Sequence, residues 1–199
     1  MLYDDKVRAE FAQWSEAEAG RRHAEGGTFA MLEWGVKRSK PKSPTIQRDR
    51  FMFADEYTGA DFEDGLDVDI VADIHDATEI PGDAYDAILC VSVLEHVKRP
   101  WVAVPDMGRT LKPGGRLQVT THQTFPIHGY PEDYWRFTRE ALALLGEDAG
   151  LNVIQTSYCY PTTLSKPREV TEWNEAAEAY LNVSAVYEKP LERHNWGTE

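Results

Sequence analysis

Three histidines and a crowd of aromatic and charged residues stand where this sequence could do chemistry. His122 and His128 lie in the stretch HQTFPIHGYPEDYWRFT, and Tyr130, Asp133, Tyr134, Trp135 and Arg136 share the same connection. His96 follows Glu95 just after an apolar run. An imidazole titrates near neutral pH, so each of the three can take a proton from a reacting hydroxyl. Aromatic rings with polar groups between them suit a sugar or another flat, hydroxylated ligand, because ring faces stack while the polar groups fix orientation. Plain packing competes with that reading. Trp135 and Phe137 read better as core anchors, Arg136 can pair with Asp133, His96 can be a satisfied structural histidine, and Glu95 can hold loop amides. A metal centre needs carboxylates or imidazoles gathered in space, and their spacing along the chain displays no such cluster, so no metal is expected.

The elements that would position these residues are organised around YDAILCVSVLEHVKRPWVAVPDMGRTLKPGGRLQVTT, residues 85–121. Its apolar run 87–91 suits a strand buried on both faces. An amphipathic helix over about 100–111 follows, bent by Pro105 and stopped by Lys112-Pro113-Gly114-Gly115. A strand over 116–121 completes a βαβ unit, which builds parallel sheets with helices on both sides. Elsewhere the patterns give a helix over 4–24, from Val7, Phe11, Trp14 and Ala17, and strands over 28–34, 57–62 and 68–72. Thr138 is a natural N-cap for a helix running to about 149, ended by Gly150. Strands over 151–160 and 182–188 follow, with a helical segment NEAAEAYL between them. The basic, proline-containing segment 37–50 reads equally as a surface loop or as a grip for an anionic substrate.

YDAILCVSVLEHV followed by LKPGGRLQVTT resembles the fourth and fifth strands of class I S-adenosylmethionine-dependent methyltransferases. The likeness is closest to the small-molecule branch, where "YDxVxxxxxLEHV…LKPGGxLxxxxP" is habitual. HGYPEDYWRFTREALALLGEDAG resembles the "HGYPxDYWRFTxEGLxxLxxxAG" stretch of the same branch, common in enzymes encoded near glycan and natural-product pathways. The resemblance covers about residues 29–160. It implies an α/β fold: a Rossmann-like three-layer sandwich with a mostly parallel seven-stranded sheet and an antiparallel last strand. It also implies S-adenosyl-L-methionine as cofactor.

By that resemblance Glu33 and Gly35 open the cofactor loop after the first strand. The later glycines of the family pattern are absent, and VKRSKPKSPTIQRDR stands in their place. Asp61, with Phe62 beside it, takes the ribose hydroxyls, since a carboxylate offers two acceptor oxygens and no donor. Asp73 takes the adenine amino group and Ile74 packs on the ring, with His75 flanking the pocket. Val91 and Ser92, with Val93, line the methionine end, while Tyr130, Asp133, Tyr134 and Arg136 meet the acceptor.

Bulk properties narrow the partners. The 199 residues are read as one domain, residues 1–199, with an N-terminal helix in 1–27, a cofactor half in 28–121 and an acceptor half in 122–199. The formal charge of −13 argues against nucleic acid and against an anionic membrane surface. The two cysteines, Cys90 and Cys159, sit in apolar stretches, which favours a reduced, cytoplasmic chain over a disulfide framework. No run approaches the roughly 18 apolar residues of a membrane span, and the start MLYDDKVRAEF lacks the apolar core of a signal peptide. The polar tail LERHNWGTE is either loose or engaged in contacts of a homo-oligomer.

The function expected is O-methylation of a small hydroxylated acceptor such as a sugar, glycan or natural product. Transfer from a sulfonium is an in-line displacement with a good, neutral leaving group, so the protein's task is alignment plus a base. His122 or His128 is expected as the base, with His96 third. Two rivals stand beside this: a catalytically silent binding or scaffold protein of the same fold, and an enzyme methylating an amine or a carboxylate.

Overall fold

The computed structural model describes residues 3–37, 47–129, 132–164 and 179–191. Its elements are α1 (Tyr3–Ala24), β1 (Ala30–Trp34), β2 (Glu56–Asp61), β3 (Ile70–Val71), β4 (Tyr85–Val91), α2 (Pro100–Thr110), β5 (Leu111–His122), α3 (Arg139–Asp148), β6 (Asn152–Thr162) and β7 (Ala179–Glu188). The strands form one seven-stranded sheet in the order β3-β2-β1-β4-β5-β7-β6. β1 to β5 pair in parallel, and β7 runs antiparallel to both β5 and β6. This is the expected mixed sheet with its antiparallel last strand.

Alternation along the strands builds the layers. Leu32 and Trp34 of β1, with Ile88 and Cys90 of β4, join a core with Ala103, Val104 and Met107 of α2 and Leu142 of α3. Met31, Ala87 and Leu89 point the other way, into a second core with Val7, Phe11 and Ala19 of α1 and with Phe51. A period of two puts neighbours on opposite faces, so a sheet buried on both sides reads as a continuous apolar run. Cys90 and Cys159 are buried thiols and form no disulfide among the described residues, and burial pushes the Cys90 thiol well up.

Several boundaries differ from the sequence reading. β3 shrinks to Ile70–Val71 because Asp69 serves as a connector, its amide donating to Gly59 O at 2.8 Å and its carboxylate accepting from Gly59 N at 2.8 Å. β5 starts at Leu111, not after the glycines: Leu111 pairs with Tyr85, the register slips, and pairing resumes at Arg116 with Ala87. The Pro-Gly-Gly turn is thus a bulge within a strand. α2 runs through Pro105 for its full eleven residues. Ala179, Tyr180 and Leu181, read as helical, are the first residues of β7 and pair with Thr162, Pro161 and neighbours. The rest of that helical reading, 174–178, lies outside the described residues, as do Trp173, most of the basic loop (38–46), and the tail from 192 onward.

Candidate active site

In this strand order the chain reverses direction across the sheet between β1 and β4. Open α/β folds bind ligands outside the carboxyl ends of the strands at such a switch point. A cavity of about 710 Å³ lies there. Gly35, Asp61, Phe62, Asp73, Ile74 and Ser92 of the sequence reading all line it. Asp61 and Asp73 therefore sit at the same end of the sheet and face one space.

Each lining residue is held by identifiable means. Gly35 has φ +80°, and a Cβ there would lie 2.3 Å from Val93 Cγ2. Only glycine lets the β1 and β4 ends come this close. Asp61 is buried at the tip of β2, where its Oδ2 accepts from Lys37 N at 3.0 Å and its Oδ1 from Glu63 N at 3.3 Å. A carboxylate has about four lone-pair sites, so these two bonds anchor Asp61 and leave acceptor capacity. Asp73 Oδ1 accepts from the His75 amide at 2.9 Å and lies 2.7 Å from His75 Nδ1. The amide bond leads in holding the Asp73 carboxyl below its usual range. His75 Nε2 accepts from Arg99 N at 3.2 Å, which leaves Nδ1 as its protonated nitrogen. Ser92 has φ 54°, a conformation costly for a non-glycine residue, at the point where β4 turns into the cavity wall.

Glu33 and Val91 do not line the cavity. Glu33 is buried and accepts from the Tyr57 hydroxyl and from Gln47 N. Burial raises its carboxyl above the usual range, with the Tyr57 and Gln47 bonds opposing. It ties β1 to β2 and to the end of the basic loop. Lys37, the first residue of the basic segment, lines the cavity, and so does Lys98, which was not singled out as a site residue. The signal of Lys98 was weak, since a lysine after a turn is usually a solvated surface residue. Lys37 also pairs with Glu63.

The acceptor-side residues gather at the cavity's rim. His96 and Tyr134 line it directly. The His96 and His128 rings are 4.9 Å apart, His122 and His128 5.2 Å, and Phe125 stacks on His122 at 4.1 Å. His122 ends β5, its Nε2 3.0 Å from Glu95 Oε1 and its Nδ1 3.0 Å from Asn182 Oδ1. Burial works against the His122 imidazolium, but the Glu95 carboxylate outweighs it and the net direction is up. Burial likewise works against the Glu95 carboxylate, and His122 and Thr121 outweigh it, so Glu95 stays below its usual range. Glu95 also holds the connection, though through its backbone: its carbonyl accepts from Tyr134 N at 2.8 Å and Trp135 N at 3.2 Å.

Asp133 and Arg136 face each other. The guanidinium donates to both Asp133 oxygens and to the carbonyls of Phe125 and Pro126. That pair clamps the connection. Phe137 is buried, and Trp135 packs on the core and donates to Val97 O at 2.9 Å, so both are anchors. Tyr130 lies outside the described residues.

With this geometry in hand, likeness to known proteins is informative. Residues 52–119 match the family model of a methyltransferase domain. A ubiquinone biosynthesis O-methyltransferase of Xanthomonas oryzae pv. oryzae (strain PXO99A) is 28% identical over 130 residues, which are 64% of this chain and 50% of that protein. The chain thus spans about half the length of the curated relatives it matches. A crystal structure of a SAM-dependent methyltransferase from Archaeoglobus fulgidus aligns with TM-score 0.57 at 14% identity, covering 89% of this chain and 94% of that one. Burkholderia thailandensis 1,6-didemethyltoxoflavin-N1-methyltransferase, solved with S-adenosylhomocysteine, aligns with TM-score 0.56 at 15% identity, covering 94% and 84%. Residues 52–119 are thus similar to a methyltransferase domain, and the fold of the chain is that of solved S-adenosylmethionine-dependent methyltransferases.

Proposed function

We propose that the protein binds S-adenosylmethionine and methylates an oxygen of a small hydroxylated acceptor, a sugar, glycan or natural product. One observation carries this: Gly35, Asp61, Asp73, Ile74 and Ser92 converge from separate strand ends on one cavity whose rim holds His96 and Tyr134. Its volume of about 710 Å³ falls in the range of small-molecule sites. The close passage at Gly35, which a Cβ would fill, suits a backbone that cradles a ligand. When bound, S-adenosylmethionine supplies an electrophilic methyl group on a sulfonium.

In this reading Asp61 accepts from the ribose diol with the lone pairs its loop amides leave over. Asp73 lies toward the adenine and Ile74 supplies an apolar surface to it. Tyr134 meets the acceptor, with Tyr130 assigned to it by sequence alone, while Asp133 and Arg136 hold the segment that carries Tyr134. The proton of the acceptor hydroxyl goes to an imidazole. His96 is in the cavity wall with Nδ1 2.6 Å from Glu132 O, which keeps the proton on Nδ1 and leaves Nε2 basic. His122 and His128 stand behind it.

Calorimetry with S-adenosylhomocysteine tests the cofactor half. Saturable binding is expected, and no heat at millimolar ligand would leave the silent binding protein, which the absent later glycines favour. Turnover on a panel of hydroxylated acceptors tests the other half. Alanine at His96, His122 or His128 is expected to lower turnover about 100-fold or more with cofactor affinity kept. Full activity in all three variants points to a carboxylate acceptor, which needs no base.

A further inference from the structure

The turn after β4 and the end of β5 bring together more ligand chemistry than a nucleoside site requires. One carboxylate oxygen of Glu95 and one ring nitrogen each of His122 and His128 all lie within 4.8 Å of one another. The Glu95 side chain is 0% exposed. Its Oε2 accepts from Thr121 Oγ1 at 2.6 Å, but Oε1 has no hydrogen-bond partner. His122 Nε2 is 3.0 Å from Oε1 without the alignment of a hydrogen bond, and His96 Nε2 is 3.9 Å away. A buried carboxylate oxygen left without a donor is expensive, and native structures give such atoms a partner.

The imidazoles around this oxygen share one arrangement. His122 Nδ1 is 3.0 Å from Asn182 Oδ1, His128 Nδ1 is 3.2 Å from Pro126 O, and His96 Nδ1 is 2.6 Å from Glu132 O. Carbonyl oxygens only accept, so each Nδ1 carries the hydrogen and each neutral ring keeps its lone pair on Nε2. Histidines that ligate metals show this pattern, with the far N–H held by a carbonyl or carboxylate that fixes tautomer and ring direction. A lone pair 3.0 Å from a carboxylate oxygen is repelled, and either a proton on Nε2, as in the imidazolium that Glu95 favours, or a shared metal ion relieves the contact. Ligand atoms about 2.0–2.2 Å from one ion stand about this far apart at adjacent coordination positions.

We propose that Glu95, His122 and His128 form a site for a divalent transition-metal ion at the acceptor end of the cavity. Two imidazoles and one carboxylate suit zinc, manganese, iron or cobalt better than the all-oxygen sites of magnesium and calcium. The stacked Phe125 ring covers His122 on one side. His96, in the cavity wall next to His128, remains available as the base. The ion's role rests on the methyl-transfer reading: a coordinated acceptor hydroxyl loses its proton more readily. Its binding does not rest on it.

The test uses the full chain, stripped with a chelator and titrated with zinc by calorimetry and with cobalt by visible absorption. One equivalent is expected, with cobalt bands of a site bound by nitrogen and oxygen. His128→Ala, in the half-exposed connection, and Glu95→Gln are each expected to weaken zinc binding about 10-fold or more and to abolish the cobalt bands. S-adenosylhomocysteine binding by the stripped protein is measured alongside, and reports that each variant is folded. Absence of stoichiometric metal binding, or unchanged affinity in His128→Ala, overturns the site and leaves an imidazolium–carboxylate pair between His122 and Glu95. Retained nucleoside binding in that event spares the cofactor reading, whereas metal binding without nucleoside binding spares the metal and removes the methyltransferase.

Discussion

At Gly35 one added carbon would meet Val93 Cγ2 at 2.3 Å, in a backbone conformation that side chains rarely adopt. We expect Gly35→Ala to cost about 1–3 kcal/mol of stability and to weaken S-adenosylhomocysteine binding at least tenfold, read by thermal melting and calorimetry. Wild-type values for both would mean that the β1–β4 crevice does not hold the nucleoside. Gly35, Asp61 and Asp73 were legible because strand tips can be located from the apolar runs before them. The partners of Glu33 were not. Its carboxylate meets Tyr57, 24 positions away, through the lateral pairing of β1 with β2, and no local pattern encodes which neighbour a strand side chain faces. The pairing of Glu95 with His122 escaped for the same reason: it depends on β4 and β5 lying side by side.

The connection from β5 to α3 is an element held by a clamp. Hydrogen bonds from Arg136, and then the His128 amide, hold the Asp133 carboxyl well below the usual carboxylate range. A group whose folded-state value is depressed contributes stability that is complete above its unfolded value and fades as the pH falls through the folded one. Asp133→Asn should therefore lower the melting temperature by a few degrees at neutral pH. The gap should narrow as the pH drops below about 4, where the unfolded aspartate takes up its proton. A gap that is constant from neutral to strongly acidic pH would show that the clamp does not depend on charge. The end of this element was plain in the sequence: Thr138 Oγ1 accepts from Ala141 N at 3.1 Å and caps α3 as its residue type requires. The opening of β5 was not, because Pro-Gly-Gly ends a helix and also permits a bulge, and only pairing with Tyr85 selects the bulge.

Over the whole molecule, Asp86 joins the layers at the end of the sheet opposite the cavity. Its buried carboxylate meets Arg22 of α1 at 2.8 Å, Lys112 of β5 at 2.7 Å and the Ala30 amide of β1 at 2.8 Å. Alanine there leaves the Ala30 amide without its acceptor, at a cost of about 1–3 kcal/mol, while the partly exposed Arg22 and Lys112 can turn to solvent. Urea denaturation of Asp86→Ala should reveal a loss of that order, and one below about 1 kcal/mol would reduce the network to surface pairing. Among the described residues no helix is long and apolar enough to cross a membrane.

The sequence by itself determined the layers, the parallel sheet with its antiparallel closing strand, and the strand tips that carry Gly35, Asp61 and Asp73. The strands, their tips and the βαβ unit follow from short-range periodicity and turn chemistry, which act within a few residues, whereas the antiparallel closing strand was implied by the family resemblance. Only the tertiary structure decided which side chains meet across strands: Glu33 with Tyr57, and Glu95 beneath three imidazoles. Such meetings depend on register and on the exact crossing of distant segments, where a shift of one residue turns a side chain to the opposite face.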